Sequence, residues 1–365
     1  MTATQRSPSA VLLRHYDTYV NGAVSFLTIE QESHERAGSG VVNEQQVRNP
    51  RIDRWLKPLA IAAAIGMFIV LLMGATVTNT GSSEGCGRSW PMCGGDMWSR
   101  EMLIEASHRL VTGIEGFLVL GVGIGLWRSR GDRREARLLI AGMWGAILVQ
   151  SGMGAWAVRS PQNSWVMALH FGFSVIAFAS CVLTVEMIYR DERGSARHLQ
   201  WSVPAGFKYL MWFTLIASYG IAYLGAYVRH SDAVIACATW PDCNGKVIPE
   251  LSGPVGIHFA HRVAALGGML LVFGLLAWSH RFRAERPDIY RVCQAASLVI
   301  LAQAFAGAIV IWTTLSYVST LLHAGLMAML FVLLCVGCRL VLPVREPARS
   351  EALPSHGATA APARS

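Results

Sequence analysis

Four histidines recur at a fixed spacing in apolar parts of the chain. His108 and His170 are 62 residues apart, and His261 and His323 are separated by the same interval. A lone histidine in an apolar helix is usually a hydrogen-bonded packing residue. Two imidazoles in each half of a chain, at matching depth, are instead how helical bundles hold a metal-containing group. The spacing therefore makes these four residues candidate ligands.

The ligand types favour haem iron over zinc. Haem iron accepts axial imidazoles, whereas a zinc site needs three or four ligands and usually includes cysteine or carboxylate. The sequence predicts two haem sites, one in each half of the chain. His108 and His170 form one pair of axial ligands, and His261 and His323 form the other.

An acidic residue distinguishes the two halves. Glu105 precedes His108 by three residues in "EASHRL", and His258 takes its place in "HFAHRV". Residues three apart share a helix face, so Glu105 is expected to face the same cavity as His108. The alternative is a carboxylate that only stabilises a helix start. Because the repeat does not keep the acid, we favour a catalytic role for Glu105.

An arginine follows the first histidine of each half. Arg109 and Arg262 either anchor their helices at the lipid interface or contact a haem propionate. The second role suits the guanidinium, because its fork of donors matches a carboxylate.

The sites lie in a chain that repeats itself. "GATV" at 74–77 matches "GAYV" at 225–228, and "LVQSGMGA" at 148–155 matches "LAQAFAGA" at 301–308. "WPMC" at 90–93 matches "WPDC" at 240–243. Each half holds four candidate helices, an even number, so both halves have the same orientation. This predicts a parallel repeat about an axis along the membrane normal.

The elements that carry these residues are predicted to be transmembrane helices. The chain of 365 residues is 53% apolar and 15% charged, well below the ~25% charge of soluble domains. A bilayer core needs roughly 20 apolar residues per helix. The fold class is therefore an all-α membrane protein with eight helices in two four-helix bundles. The predicted segments are 58–78, 104–126, 138–158, 165–188, 207–228, 256–278, 293–314 and 318–342.

The net charge of +8 is explained by orientation. Arginines cluster in alternate loops, around 128–137, 190–197 and 281–291. By the positive-inside rule these loops and both termini are cytoplasmic. No nucleic-acid partner is expected, and membrane lipid is the expected surround. The first 50 residues lack a leading apolar run, so no signal peptide is predicted.

The segment pattern predicts five regions. These are a polar N-terminal segment at 1–54, an N-terminal half at 55–190, a cytoplasmic linker at 191–205, a C-terminal half at 206–342 and a disordered tail at 343–365.

Four of the eight cysteines lie in two corresponding outer loops. Cys86 and Cys93 precede the second helix, and Cys237 and Cys243 precede the sixth. Disulfides persist in the oxidising compartment that these loops face, so one bridge within each loop is predicted. A redox-active pair is the alternative. The remaining cysteines are expected to pack as small apolar residues.

Together these motifs resemble the haem A synthase family. The resemblance covers about 55–342 and rests on the eight helices, the E-x-x-H-R run at 105–109, the partner histidines and the two cysteine pairs. Cysteine pairs in both loops are similar to the Gram-positive form. The polar N-terminal segment departs from the family but precedes the motif residues.

The resemblance implies a reaction and a division of labour. A methyl group of haem O would be oxidised to the formyl group of haem A, with water as oxygen source and Glu105 as catalytic carboxylate. The N-terminal half would bind haem O through His108 and His170, and the C-terminal half would keep haem B on His261 and His323. Implied partners are haem O synthase and a quinone or other electron acceptor, and a homo-oligomer is a further candidate. The implied location is the bacterial cell membrane.

Two other functions share the histidine pairs. A di-haem cytochrome would pass electrons between quinone and an outer partner, without need of an intramembrane carboxyl. A haem transporter or chaperone would treat the haems as exchangeable cargo.

Overall fold

A computed structural model describes residues 50–94, 98–160, 163–193 and 202–342. Most of the predicted N-terminal segment, most of the linker and the whole C-terminal tail lie outside the described residues. The predicted cytoplasmic location of the two termini therefore also falls outside the described residues.

Eight long helices dominate the described chain, and each is long and apolar enough to cross a membrane. This confirms the predicted all-α membrane fold. They are α1 (Pro50–Asn79), α2 (Arg100–Arg130), α3 (Arg134–Arg159), α4 (Ser164–Arg193), α5 (Ala205–His230), α6 (Gly253–Ser279), α7 (Pro287–Trp312) and α8 (Tyr317–Leu340).

The helices extend beyond the apolar segments that predicted them. Helix α1 begins at Pro50, inside the predicted polar segment, and α4 continues to Arg193, inside the predicted linker. Proline suits a first helical position because its missing N–H has no helical partner there. Helix α2 begins at Arg100 because the Ser99 side chain accepts a hydrogen bond from the Met102 N–H, which caps the helix.

The two halves use the same pattern of helix packing. In each half the first helix packs on the second and fourth, and the third packs on the second and fourth. Between the halves, α4 packs on α5 and α8, and α1 packs on α8. This pattern is the one expected of a parallel repeat, whose symmetry stays a prediction.

Paired charges lie at the arginine-rich ends of the helices. Arg130 of α2 is buried and forms ion pairs with Asp53 of α1 and Asp191 of α4. Arg339 of α8 pairs with Glu186 of α4 and so connects the two halves. Buried charge is tolerated when it is paired in this way.

The structure joins Cys86 to Cys93 and Cys237 to Cys243, as predicted. Among the other cysteines, Cys181, Cys293 and Cys338 are buried and Cys335 is partly buried. These four have the environment of packing residues.

The loop assignment can be checked by labelling. After mild reduction of intact cells, a membrane-impermeant maleimide should label the exposed Cys93 from the outer side, because its loop is poor in arginine and lysine. Non-reducing peptide mapping should recover each bridge within its own loop. Buried Cys181 is the internal control and should stay unlabelled. A peptide linking Cys86 to Cys237 would contradict the assignment.

Candidate functional site

One cavity of about 990 Å³ is lined by all four histidines. His108 and His170 lie near the starts of α2 and α4, and His261 and His323 lie near the starts of α6 and α8. In each half, the two histidine-bearing helices pack on the same two neighbouring helices. The fold therefore brings the predicted ligands together in two pairs that share one cavity.

Each of these histidines faces a glycine on the preceding helix. A Cβ atom on Gly225 would lie 2.8 Å from Cε1 of His261, and one on Gly307 would lie 3.1 Å from Cε1 of His323. At these two positions a side chain would crowd the imidazole, whereas a Cβ atom on Gly74 or Gly154 would lie at an ordinary contact distance of 3.5 Å from Cε1 of His108 or His170. The four pairs are Gly74 with His108, Gly154 with His170, Gly225 with His261 and Gly307 with His323.

These glycines were visible in the sequence but were not predicted as site residues. They are the glycines of "GATV", "GAYV", "GMGA" and "FAGA", which served only to identify the repeat. Their signal is a Gly-Ala pair at the outer end of every odd-numbered helix. Recognising it requires knowing which helix packs against each histidine.

Two glutamines also contact the histidines. The backbone carbonyl of Gln150 lies 3.0 Å from Nδ1 of His170, and the side-chain amide nitrogen of Gln303 lies 3.3 Å from Nε2 of His323. A carbonyl that fixes the Nδ1 proton leaves Nε2 of His170 free to bind a metal. Both glutamines occupy the same place in the repeated "LVQSGMGA" and "LAQAFAGA" segments, which is the signal that could have predicted them.

Glu105 lines the same cavity and is 4% exposed. Its carboxylate accepts a hydrogen bond from the Cys86 N–H at 2.9 Å and pairs with Arg109 at 2.5 Å. Since Ser99 caps α2, the helix start does not need Glu105. The carboxylate instead joins the histidine-bearing helix to the disulfide loop.

His258 makes the corresponding contacts in the second half. Its Nδ1 lies 3.1 Å from the Ala233 carbonyl, and Arg262 Nε lies 3.2 Å from its Nε2. The second half thus has an imidazole, that of His258, in the place where the first half has the Glu105 carboxylate. The asymmetry expected from the sequence is present in the contacts.

Arg109 and Arg262 fasten the outer loops to the helices. Arg109 donates to the Ser89 carbonyl at 2.7 Å, and Arg262 donates to the Thr239 carbonyl at 2.8 Å. Arg262 also donates to the Cys237 carbonyl. Both line the cavity, but both also donate hydrogen bonds to protein groups, so contact with a propionate stays a prediction.

The second outer loop is held by its own hydrogen bonds. The Thr239 hydroxyl and the Gly245 N–H donate to the Asp242 carboxylate. These bonds lower the pKa of Asp242 below its ordinary value, so the loop keeps its negative charge near neutral pH.

Comparison with known proteins places these features in a family. Residues 97–335 match the family model COX15-CtaA, described as cytochrome oxidase assembly protein. The chain belongs to this family. The matched region contains Glu105 and all four histidines.

Several curated relatives are named heme A synthase. That of Shouchella clausii is 39% identical over 301 residues, covering 80% of this chain and 98% of the relative. That of Symbiobacterium thermophilum is 37% identical over 295 residues, covering 79% and 96%. The resemblance to haem A synthases inferred from the sequence is confirmed.

Proposed function

We propose that this member of the COX15-CtaA family is a haem A synthase that oxidises a methyl group of haem O to a formyl group. The observation that carries the proposal is one cavity with two histidine pairs and a carboxylate in only one half. Its relatives carry the same function in their names.

The asymmetry supports a division of labour between the halves. His108 and His170 would hold the iron of haem O, because Glu105 lies three residues from His108 and lines the same cavity. His261 and His323 would hold a resident haem B, because His258 replaces the carboxylate there. The two pairs line one cavity.

The side chains fit axial ligation of haem. Nδ1 of His108 and Nδ1 of His261 are buried without a hydrogen-bond partner among the described residues. Among the described residues, no protein group therefore holds either ring through Nδ1. When bound, haem B would supply a one-electron redox centre for passing electrons to a quinone or another acceptor.

The chain's own residues would handle the protons. Oxidation of methyl to alcohol, with oxygen from water, releases two electrons and two protons, and oxidation to the hydrated aldehyde releases two more of each. Loss of water then leaves the formyl group. Glu105 would accept a proton from the attacking water. Arg109 and the Cys86 N–H hold that carboxylate in place.

Gly225→Ala is expected to lower the amount of haem B held by purified protein. The new methyl would lie 2.8 Å from the His261 ring and displace it, at a cost of about 1–3 kcal/mol. Haem B per protein, measured by absorbance after extraction, checks this. Gly220→Ala on the same helix is the matched control, because a Cβ there meets nothing within 4 Å. Equal haem contents in the two variants would contradict the close approach.

Co-expression with a haem O-producing enzyme tests the function as a whole. Chromatography of extracted haems should show haem A only when this chain is present. Haem B bound tightly without haem A would support a di-haem cytochrome instead. Unaltered haem O that passes readily to an acceptor protein would support a haem transporter or chaperone.

A further inference from the structure

A guanidinium that is unassigned so far lines the cavity near the second histidine pair. Arg229 lies in the last turn of α5, four residues after Gly225. Residues four apart share a helix face, about 6 Å apart along the axis. Since Gly225 faces His261, Arg229 lies one turn from that ring toward the outer end of the helix.

Arg229 reaches from the C-terminal half to the N-terminal half. Its Nη2 donates to the Thr78 carbonyl and to Oδ1 of Asn79, each at 3.2 Å. These contacts fix the guanidinium against the end of α1, and Asn79 also lines the cavity. The two side chains therefore form one hydrogen-bonded polar group at the cavity wall.

Two donors of this group are left over. Nε of Arg229 and Nδ2 of Asn79 are buried and have no hydrogen-bond partner among the described residues. A buried donor without a partner costs about 1–3 kcal/mol, and such groups in native proteins usually have a ligand or water. A hydrogen-bond acceptor on a ligand in the cavity would satisfy both donors.

The charge of the group indicates an anionic acceptor. Asp232 is the acidic residue that acts electrostatically on Arg229, and within the described ranges no carboxylate forms an ion pair with Arg229. A carboxylate matches the arginine fork and can also accept from an amide. Haem carries two carboxylates, its propionates.

The N-terminal half has no equivalent cation at this position. Thr78 follows Gly74 by four residues, as Arg229 follows Gly225. A haem held beside Gly74 would therefore lack this guanidinium at the corresponding wall. The difference suits a half that releases its haem and a half that retains it.

We propose that Arg229 and Asn79 bind a propionate carboxylate of the haem held by His261 and His323. The proposal rests on the proposed function to the extent that this half holds a haem. By this proposal, the Arg229 guanidinium, which has no counterpart in the substrate half, helps the C-terminal half to retain its haem.

The test measures haem loss from full-length protein in detergent, with apomyoglobin as the acceptor. Arg229→Gln should release haem B about 10- to 100-fold faster than the unaltered chain, the range expected when a charge-assisted hydrogen bond is lost. Asn79→Ala removes only the amide donor and should give a smaller acceleration. Arg159→Gln is the matched control, since Arg159 is also at the outer end of a helix but is exposed.

Reconstitution with haem B dimethyl ester separates a propionate contact from other roles. The unaltered chain should lose the ester faster than the acid, whereas Arg229→Gln should release both at one rate. Discrimination that survives in Arg229→Gln, or equal retention of acid and ester by the unaltered chain, would overturn the proposal. Absence of bound haem B would overturn it too. Because no haem O is used, failure to make haem A leaves these results unchanged.

Discussion

Glu105→Gln is expected to stop haem A formation while leaving the protein folded and its haem B in place. Loss of a general acid–base group typically lowers a rate about 10²–10⁴-fold, enough to stall a multi-step oxidation. Glu105 is not among the proposed ligands, so the histidine pair of the other half should be unaffected. Chromatography of haems from co-expressing cells should show haem O accumulating in place of haem A.

The contacts of Glu105 make glutamine the cleaner replacement. Its amide oxygen can still accept from the Cys86 N–H, which the carboxylate now does at 2.9 Å. The charge opposite Arg109 is lost, and so is the ability to take a proton. Glu105→Ala removes the loop contact as well, so any loss of activity there would combine chemistry with loosening of the disulfide loop.

Two other acids on α2 serve as controls. Glu101 lies one turn earlier and is exposed, so Glu101→Gln should form haem A normally. Glu115 is buried but lies against Gly66 of α1 rather than in the cavity lining. Near-normal haem A from Glu105→Gln, with loss in Glu115→Gln, would show that the wrong carboxyl has been assigned.

The sequence predicted the helices and the ligand candidates for a physical reason. Bilayer thickness sets a minimum apolar length, so each span is visible as a local run. The equal spacing of His108 and His170, and of His261 and His323, can likewise be read from the sequence without knowledge of helix packing. Helix ends were less predictable. Helix α1 starts eight residues before its apolar segment, at Pro50, and hydropathy does not reveal how far a helix continues into polar residues.

The rest of the site depends on packing between helices that are distant in sequence. The environments of Gly225 and Gln150 follow from which helix packs against each histidine. The contacts of Arg109 with the Ser89 carbonyl follow from how the loop folds back. Neither hydropathy nor periodicity contains that information. The repeat could have pointed to the glycines and glutamines, since both copies keep them, but not to Arg229, which only one copy has.

His261→Ala and His323→Ala are expected to remove the low-spin haem B spectrum from purified protein. Each replacement deletes one axial ligand and leaves the iron with an open position. The loss of haem affinity should be at least the roughly 10- to 100-fold that follows removal of an outer-shell partner at a metal site. Absorbance spectra of reduced protein, normalised to protein concentration, give the measurement.

His108→Ala is the informative counterpart, because His108 lines the same cavity and faces its own glycine in the same way. Most of the low-spin haem B should remain in this variant, since its ligands lie on α6 and α8. His280→Ala controls for histidine loss in general, because His280 is exposed beyond the end of α6. If His108→Ala removes the spectrum and the two C-terminal variants keep it, the halves are assigned the wrong way round. The resident haem would then lie beside Glu105. The substrate haem would lie in the C-terminal half, where His258 takes the place of the carboxylate.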